Sequence, residues 1–338
     1  MMPRLCLVVA CFLERLCLVV ACFLEMPAAG FAQTPLPPET AQKLLSIEFD
    51  PPPKKLAADA HFVVSDEKAH YLFKSTITGL GGCMVGVGTD QNYIMAGWAR
   101  PDILIIADFD QMVVDVHKLY RIAFQHTQSP TDFIKAWRDQ SILEWLENET
   151  LSPDEEKRLR KVFSMSKNLI LDRLFEVRKT YRKAKTRTFL DDQQQFDYVR
   201  NLFLTNRVFV FRGDLTGTKT YRQIGDTLRN LGFTVRVLYL SNAEKYFDCS
   251  ENYKKNMRGL PFDEKSVVLR TAGGWDMEVA PDGLYTYLVQ TPASFLAFMQ
   301  DGVECSFKTI VSRRRLDKKQ KGLGFIDFIP APKRKGKQ

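Results

Sequence analysis

Residues 81–110 read GGCMVGVGTDQNYIMAGWARPDILIIADFD: a strand, a glycine-rich turn, a short helix, and a second strand ending in carboxylates. The apolar run 83–87 leads into Gly86-Val87-Gly88. Residues without a Cβ let the chain turn sharply there and let a ligand come close to the backbone. Twenty residues after Gly88, the apolar run 103–107 delivers Asp108 and Asp110 to its C-terminal end. In nucleotide-binding α/β folds an acid there accepts hydrogen bonds from ribose hydroxyls. The backbone amides of residues 89–92, with the side chains of Gln91 and Asn92, would stand at a helix N-terminus, which favours anionic or polar groups. A tight strand-to-helix turn without a ligand uses the same glycines, so it is the pairing with Asp108 that makes the turn a candidate site. Asp110, just before a helix starting near Gln111, also reads as that helix's N-cap.

Downstream, 207–214 (RVFVFRGD), 234–241 (TVRVLYLS), 266–271 (SVVLRT) and 285–291 (YTYLVQT) read as further strands. The first strands, through 207–214, are apolar throughout rather than alternating, as in a parallel sheet covered on both faces. Residues 219–231 (KTYRQIGDTLRNL) form an amphipathic helix closed by Gly232, which feeds the next strand and completes a right-handed βαβ unit. Between 111 and 206 lies a long, mainly helical insertion. Its segment 153–187 is dense in charge and carries Leu159, Phe163, Ile170, Leu174 and Phe175 at helical spacing. It reads as a long surface helix or helical hairpin, a cap over the sheet edge. The expected fold is α/β: three layers, Rossmann-like, with a mostly parallel sheet and an inserted helical segment.

Sheets of this type gather strand C-termini at one crevice. That brings Asp214, in RGDLTGT, and Ser241-Asn242-Ala243-Glu244 toward Gly86 and Asp108. Asp214 or Glu244 would serve there as a base, with Ser241 and Asn242 positioning a ligand. The same residues suit an Asx-turn at Asp214, and a helix cap at Ser241 or Asn242 with Glu244 in the first turn. His117, on the helix after Asp110, is either an acid or base at the crevice mouth or a structural histidine. No HxxxH, HExxH, GxSxG or GxxxxGK[ST] pattern occurs, which removes support for metalloprotease, hydrolase and P-loop chemistry. The His and Cys spacings build no metal site.

The 338 residues, 45% hydrophobic and 12% aromatic, are ample for a core and exclude global disorder. Net charge is +8, yet 308–338 holds eleven Lys or Arg against Asp317 and Asp327, so that segment is +9 and the remainder −1. The basic character therefore belongs to a tail, read as a solvated appendage or an arm for an anionic surface, with no specific nucleic-acid motif. At the other end RLCLVVACFLE occurs at 4–14 and again, unchanged, at 15–25. Gene duplication explains such a tandem copy better than a structural repeat does. The second copy makes residues 1–32 read as a secretion signal: Arg15, the apolar 16–24, and Gly30-Phe31-Ala32 before Gln33. Val19-Val20-Ala21-Cys22 also resembles a lipoprotein processing box, and a true start at Met26 is the alternative. Each apolar block is too short to span a bilayer, so no transmembrane helix is expected after cleavage. The expected location is periplasmic or extracellular, with the cytoplasm as alternative. Residues 33–56 (PLPPET, DPPPKK) read as a Pro-rich linker, and 57–307 as the folded domain. Outside the leader, Cys83, Cys249 and Cys305 are expected as three buried or free thiols rather than as a disulfide and a thiol.

The motif order resembles the class I S-adenosylmethionine-dependent methyltransferase core. A glycine turn follows the first strand, an acid ends the second, Asp214 ends the third and a polar cluster ends the fourth. More closely, the chain resembles an uncharacterised bacterial family with such a core. In that family G-G-x-x-x-G-V-G-x-x-Q-N, an acid-ended strand, G-D-L-T-G and Y-L-S-N-x-E recur. Here these are 81–92, 103–110, 213–217 and 239–244, within a likeness spanning about 71–299. The resemblance implies a crevice built from the glycine turn with Gln91 and Asn92, the acids Asp108, Asp110 and Asp214, and Ser241 with Asn242. It also implies S-adenosylmethionine as the cofactor class. Asp90 takes the place of the motif's third glycine, where its carboxylate would oppose a ligand carboxylate. Ser241-Asn242-Ala243-Glu244 replaces the fourth motif's Asn/Asp-Pro-Pro-aromatic run. The expected function is an exported methyltransferase-like protein that binds a nucleoside-like or polar ligand without methylating. The alternatives are an active cytoplasmic methyltransferase and a non-catalytic binding or scaffold module.

Overall fold

The computed structural model describes residues 34–56, 59–274 and 277–332, so the leader read over 1–32 lies outside the described residues. The strands are β1 (Cys83–Gly86), β2 (Ile103–Asp108), β3 (Val208–Arg212), β4 (Val235–Tyr239), β5 (Val267–Ala272), β6 (Thr286–Gln290), β7 (Arg315–Leu316) and β8 (Leu323–Ile326). They form one sheet in the order β3-β2-β1-β4-β5-β6-β8-β7. Strands β1 to β5 run parallel, β6 is antiparallel to β5, and β8 is parallel to β6. The order 3-2-1-4-5 is that of a doubly wound, Rossmann-like sheet. Its direction reverses between β1 and β4, which leaves a crevice above their C-terminal ends.

Alternate residues of each strand feed two different cores. Met84, Leu104, Ile106 and Val237 pack with the helical insertion. Val85, Ile105, Phe209 and Leu238 pack on the other face with helices Thr220–Asn230 and Glu251–Gly259. Cover on both faces is why the central strands show no polar alternation: every residue of β1 is buried. Strand β3 departs from that expectation. As the edge strand it alternates buried Phe209 and Phe211 with half-buried Val208, Val210 and Arg212.

The insertion comprises Gln111–His126, Pro130–Arg138, Ser141–Leu146, Pro153–Lys183 and Gln193–Leu204. Pro153–Lys183 is one helix of 31 residues. Ser152 caps it by accepting from Glu155 N; three acids occupy its first turn, and Arg182 and Lys183 its last. Both ends thus suit the helix dipole. Leu159, Phe163, Ile170 and Leu174 are buried, each worth about 1.5–3 kcal/mol relative to exposure, whereas Phe175 is exposed.

The described parts of two segments read as appendages belong to the fold. Within 33–56, Leu36, Leu44 and Ile47 enter the second core around helix Pro38–Leu45, and Asp50 is buried. Within 308–338, β8 pairs with β6, with Leu323 and Ile326 buried. A charge count over that stretch hides a four-residue apolar strand between basic residues. Cys249 and Cys305 are joined in a disulfide with Cα atoms 5.7 Å apart, which overturns the expectation of three thiols. A separation of 56 residues along the chain carries no information about proximity in space. Cys83 is free and buried, and burial pushes its thiol up. Among the described residues no helix is long and apolar enough to cross a membrane.

Candidate functional site

A cavity of about 400 Å³ opens at the C-terminal edge of the sheet, between the loops after β1 and β4. Gly88, Gln91, Asp108, Asp214, Ser241 and Asn242 line it. They come from the ends of four parallel strands, and parallel topology is what makes them meet. Rings of Phe62, Phe109, Tyr246 and Tyr285 complete the wall.

The glycine turn is filled from within the protein. A Cβ on Gly86 would stand 2.0 Å from Asn92 Oδ1. One on Gly88, whose φ is +79°, would stand 2.2 Å from Gln91 Nε2. The glycines therefore admit the chain's own amide side chains. Asn92 is fully buried, and its Nδ2 donates to the carbonyls of Val87 (2.8 Å) and Thr89 (3.2 Å). Gln91 Oε1 accepts from Thr89 N at 3.0 Å. Gly86 and Asn92 thus shape the turn without lining the cavity, contrary to the expected close approach of a ligand. Asp90 does not oppose a ligand carboxylate either. It is fully buried and accepts from Arg173 Nε at 3.0 Å.

Asp108 carries the site's clearest perturbation. Burial pushes its carboxyl up to about 6, the charge of Asp110 adds to this, and backbone donors oppose it. Those donors are Gly88 N to Oδ2 and Asp110 N to Oδ1, both at 3.0 Å, with the Phe109 backbone as a third, so a carboxylate with four acceptor positions is not saturated by them. Asp110 is the N-cap of Gln111–His126. It accepts from Met112 N at 2.9 Å, pairs with His61 Nδ1 at 2.8 Å, and stands outside the cavity lining. Asp214 does line the cavity, and its Oδ1 also closes an Asx-turn by accepting from Thr216 N at 2.7 Å.

The other two catalytic candidates face inward. His117 is buried; Nε2 donates to the Gly88 carbonyl at 2.8 Å and Nδ1 accepts from Tyr93 OH at 2.5 Å. The carbonyl can only accept, which assigns the tautomer. Burial pulls His117 down to about 4, so a neutral imidazole clamps the turn. Glu244 is buried, forms an ion pair with Arg270 at 2.9 Å and accepts from Tyr253 OH at 2.6 Å.

Sequence reasoning missed Glu67. Its buried carboxylate accepts from Ser241 Oγ (2.9 Å), Ser65 Oγ (2.9 Å) and His70 Nε2 (3.1 Å), and from the hydroxyls of Tyr239 and Thr271. Burial opposes the charge, but these donors outweigh it and hold the carboxyl down at about 2. Glu67 thereby anchors Ser241, which sits in the left-handed region at φ +53°. Asp66 and Tyr285 were missed as well: Tyr285 OH donates to Asp66 Oδ2 at 2.7 Å and accepts from Asn242 Nδ2 at 3.3 Å. So was Asp50, which accepts from the backbone N–H groups of Asp214 and Lys219, each at 3.1 Å. No local pattern marks these residues; only the Asp before three prolines at 51–53 hints at a turn.

A family model described as a domain of unknown function, DUF7790, matches residues 62–327. The chain belongs to the DUF7790 family. The match starts at Phe62 on the cavity wall and ends just after β8, so DUF7790 takes in the whole sheet. Comparison with curated proteins finds no match. Among solved structures, the rRNA methyltransferase aviRa from Streptomyces viridochromogenes is similar at 11% identity. The likeness covers 67% of this chain and 80% of that one, with a TM-score of 0.30. At that level it supports no statement about what this DUF7790 chain does.

Proposed function

We propose that this DUF7790 protein is exported and uses its methyltransferase-like core to bind a nucleoside-like or other polar ligand at the C-terminal edge of the sheet. The observation that carries the reading is Asp108, a carboxylate not saturated by its backbone donors, in a cavity walled by aromatic rings. A volume of about 400 Å³ suits a nucleoside-sized molecule. Asp108 would take ribose hydroxyls, and Phe62 or Tyr246 offers an exposed ring to stack on a base. The Cys249–Cys305 disulfide supports export, because such bonds persist in oxidising compartments.

The cavity residues fit the nucleoside half of S-adenosylmethionine and not its amino-acid carboxylate, which would meet Asp66, Asp108 and Asp214. His117 and Glu244 are internal, so acid–base chemistry has no support from them. The strand order and the glycine turn favour a second reading, an active methyltransferase in the cytoplasm. Calorimetric titration of the full chain with adenosine, S-adenosylmethionine and S-adenosylhomocysteine, with Asp108→Ala as control, separates the readings. Micromolar adenosine binding lost in the variant is the expected result. No adenosine binding by the native protein sinks the proposal, and S-adenosylmethionine binding far tighter than adenosine transfers support to the methyltransferase. Mass spectrometry of the mature N-terminus tests export: Gln33 for cleavage, Met1 or Met26 for retention.

A further inference from the structure

We infer that the cavity selects neutral or cationic ligands and rejects phosphate and carboxylate. The inference rests on the binding reading above and adds its charge class. A glycine turn between a strand and a helix ordinarily offers backbone N–H groups to an anion. In this protein two of those donors are engaged internally: Gly88 N by Asp108 Oδ2 and Thr89 N by Gln91 Oε1, each at 3.0 Å. The space left by the missing Cβ atoms is taken by Gln91 and Asn92. Carboxylates face the cavity instead. Asp66, Asp108 and Asp214 line it from three separate parts of the chain. Lys55 is the one cation among the described lining residues, and its exposed ammonium pairs with Asp59 at 3.2 Å.

An acidic cluster alone defines no site, and two independent observations point to a ligand. Gln91 is only 2% exposed and lines the cavity, and its Oε1 is held by Thr89 N. A backbone N–H must donate, so the oxygen is assigned and Nε2 is the donor turned to the space beside Gly88. That amide nitrogen keeps its access to the cavity, where a ligand hydroxyl or carbonyl would accept from it. Secondly, the rings of Phe109, Tyr246, Phe247 and Tyr285 surround the same space, and ring faces attract organic cations as well as stacking on bases. The carboxylates are not gathered around a metal: among the described residues no group of three or more His, Cys, Asp or Glu could hold one. The charge they present therefore matches an organic ammonium or a set of hydroxyls.

Calorimetry on the full chain at neutral pH tests this with matched probes: adenosine, 5′-amino-5′-deoxyadenosine, adenosine 5′-monophosphate, phenethylamine and phenylacetate. The expected result is that the amino nucleoside binds at least as tightly as adenosine. The monophosphate should be weaker by about tenfold or more, since like charges facing each other are penalised. Asp214→Asn keeps the oxygen that takes the Thr216 N–H and should narrow the ratio of amine to phosphate by about threefold. Equal affinity for adenosine and its monophosphate, or an unchanged ratio in Asp214→Asn, overturns the inference. If phenethylamine binds and phenylacetate does not, while no nucleoside binds, the nucleoside reading fails and the charge class stands. Binding of none of the probes overturns both.

Discussion

Arg173, two-thirds of the way along helix Pro153–Lys183, places its Nε 3.0 Å from Asp90 Oδ2 in the glycine turn, and both side chains are buried. The helical insertion is therefore tied to the candidate site by a desolvated ion pair. Removing one partner leaves the other charge buried and alone. Arg173→Met should cost about 3–5 kcal/mol in urea unfolding, and adding Asp90→Asn should restore part of it. A loss below about 1 kcal/mol would show that the pair does not couple helix to turn.

Glu67 sets an acid limit on stability. Its carboxyl sits at about 2 in the folded protein against an ordinary 4.5. A lowered folded value gives stability that is complete above 4.5 and disappears as pH falls toward 2, about 3 kcal/mol in all. Glu67→Gln turns an acceptor into an NH₂ facing donors and should cost about 1–3 kcal/mol at neutral pH. Its unfolding free energy should then vary less than that of the native protein between pH 4.5 and 2.5. Parallel pH profiles for the two would remove Glu67 from this role.

The packed glycine turn predicts an unusual rescue. Gly86→Ala drives a methyl group into Asn92 Oδ1 and should cost about 1–3 kcal/mol, read as a fall in thermal midpoint. Asn92→Ala opens that space, so the double variant should lose less than the sum of the single changes. Strict additivity would mean that Asn92 does not fill the turn.

Asp108 makes ligand affinity and fold stability respond to pH in opposite senses. Its carboxyl, raised to about 6, is mostly protonated at pH 5 and ionised at pH 7.5. Adenosine affinity should rise about tenfold over that interval as the carboxylate becomes able to accept two hydroxyls. A raised folded value also means that its contribution to stability is greatest below 3.8 and is lost as pH rises through about 6. In Asp108→Asn both dependences should flatten. An affinity that is level from pH 5 to 7.5 in the native protein would exclude Asp108 as the group that holds the ligand.

The central strands were legible because each is a short apolar run bounded by turn residues, and β1 to β6 fall on the runs read from the sequence. Strand β8 was not, since LGFI stands among lysines that dominate any charge count. In the site, Gly88, Asp108, Asp214, Ser241 and Asn242 were legible because strand C-termini converge at the point where the strand order reverses. His117 and Asp110 take the structural roles that the sequence offered beside the ligand-facing ones, a clamp on the turn and a helix N-cap, while Glu244 is a buried ion-pair partner of Arg270. A helix start or strand end positions a Cα atom, whereas the partners around a side chain decide whether it faces a ligand or the core.

What the sequence by itself determined was the central strands β1 to β6, with the helices between them, and the edge at which they present a glycine turn and acids. Hydrophobic period, caps and a spacing of twenty residues are local properties. Tertiary structure alone decided that Gln91 and Asn92 fill that turn, that Glu67 holds Ser241 from 174 residues away, and that Cys249 meets Cys305. The reason is that a polar or charged side chain can be buried only beside its partners. Those partners are brought together by the stacking of layers, not by their order along the chain.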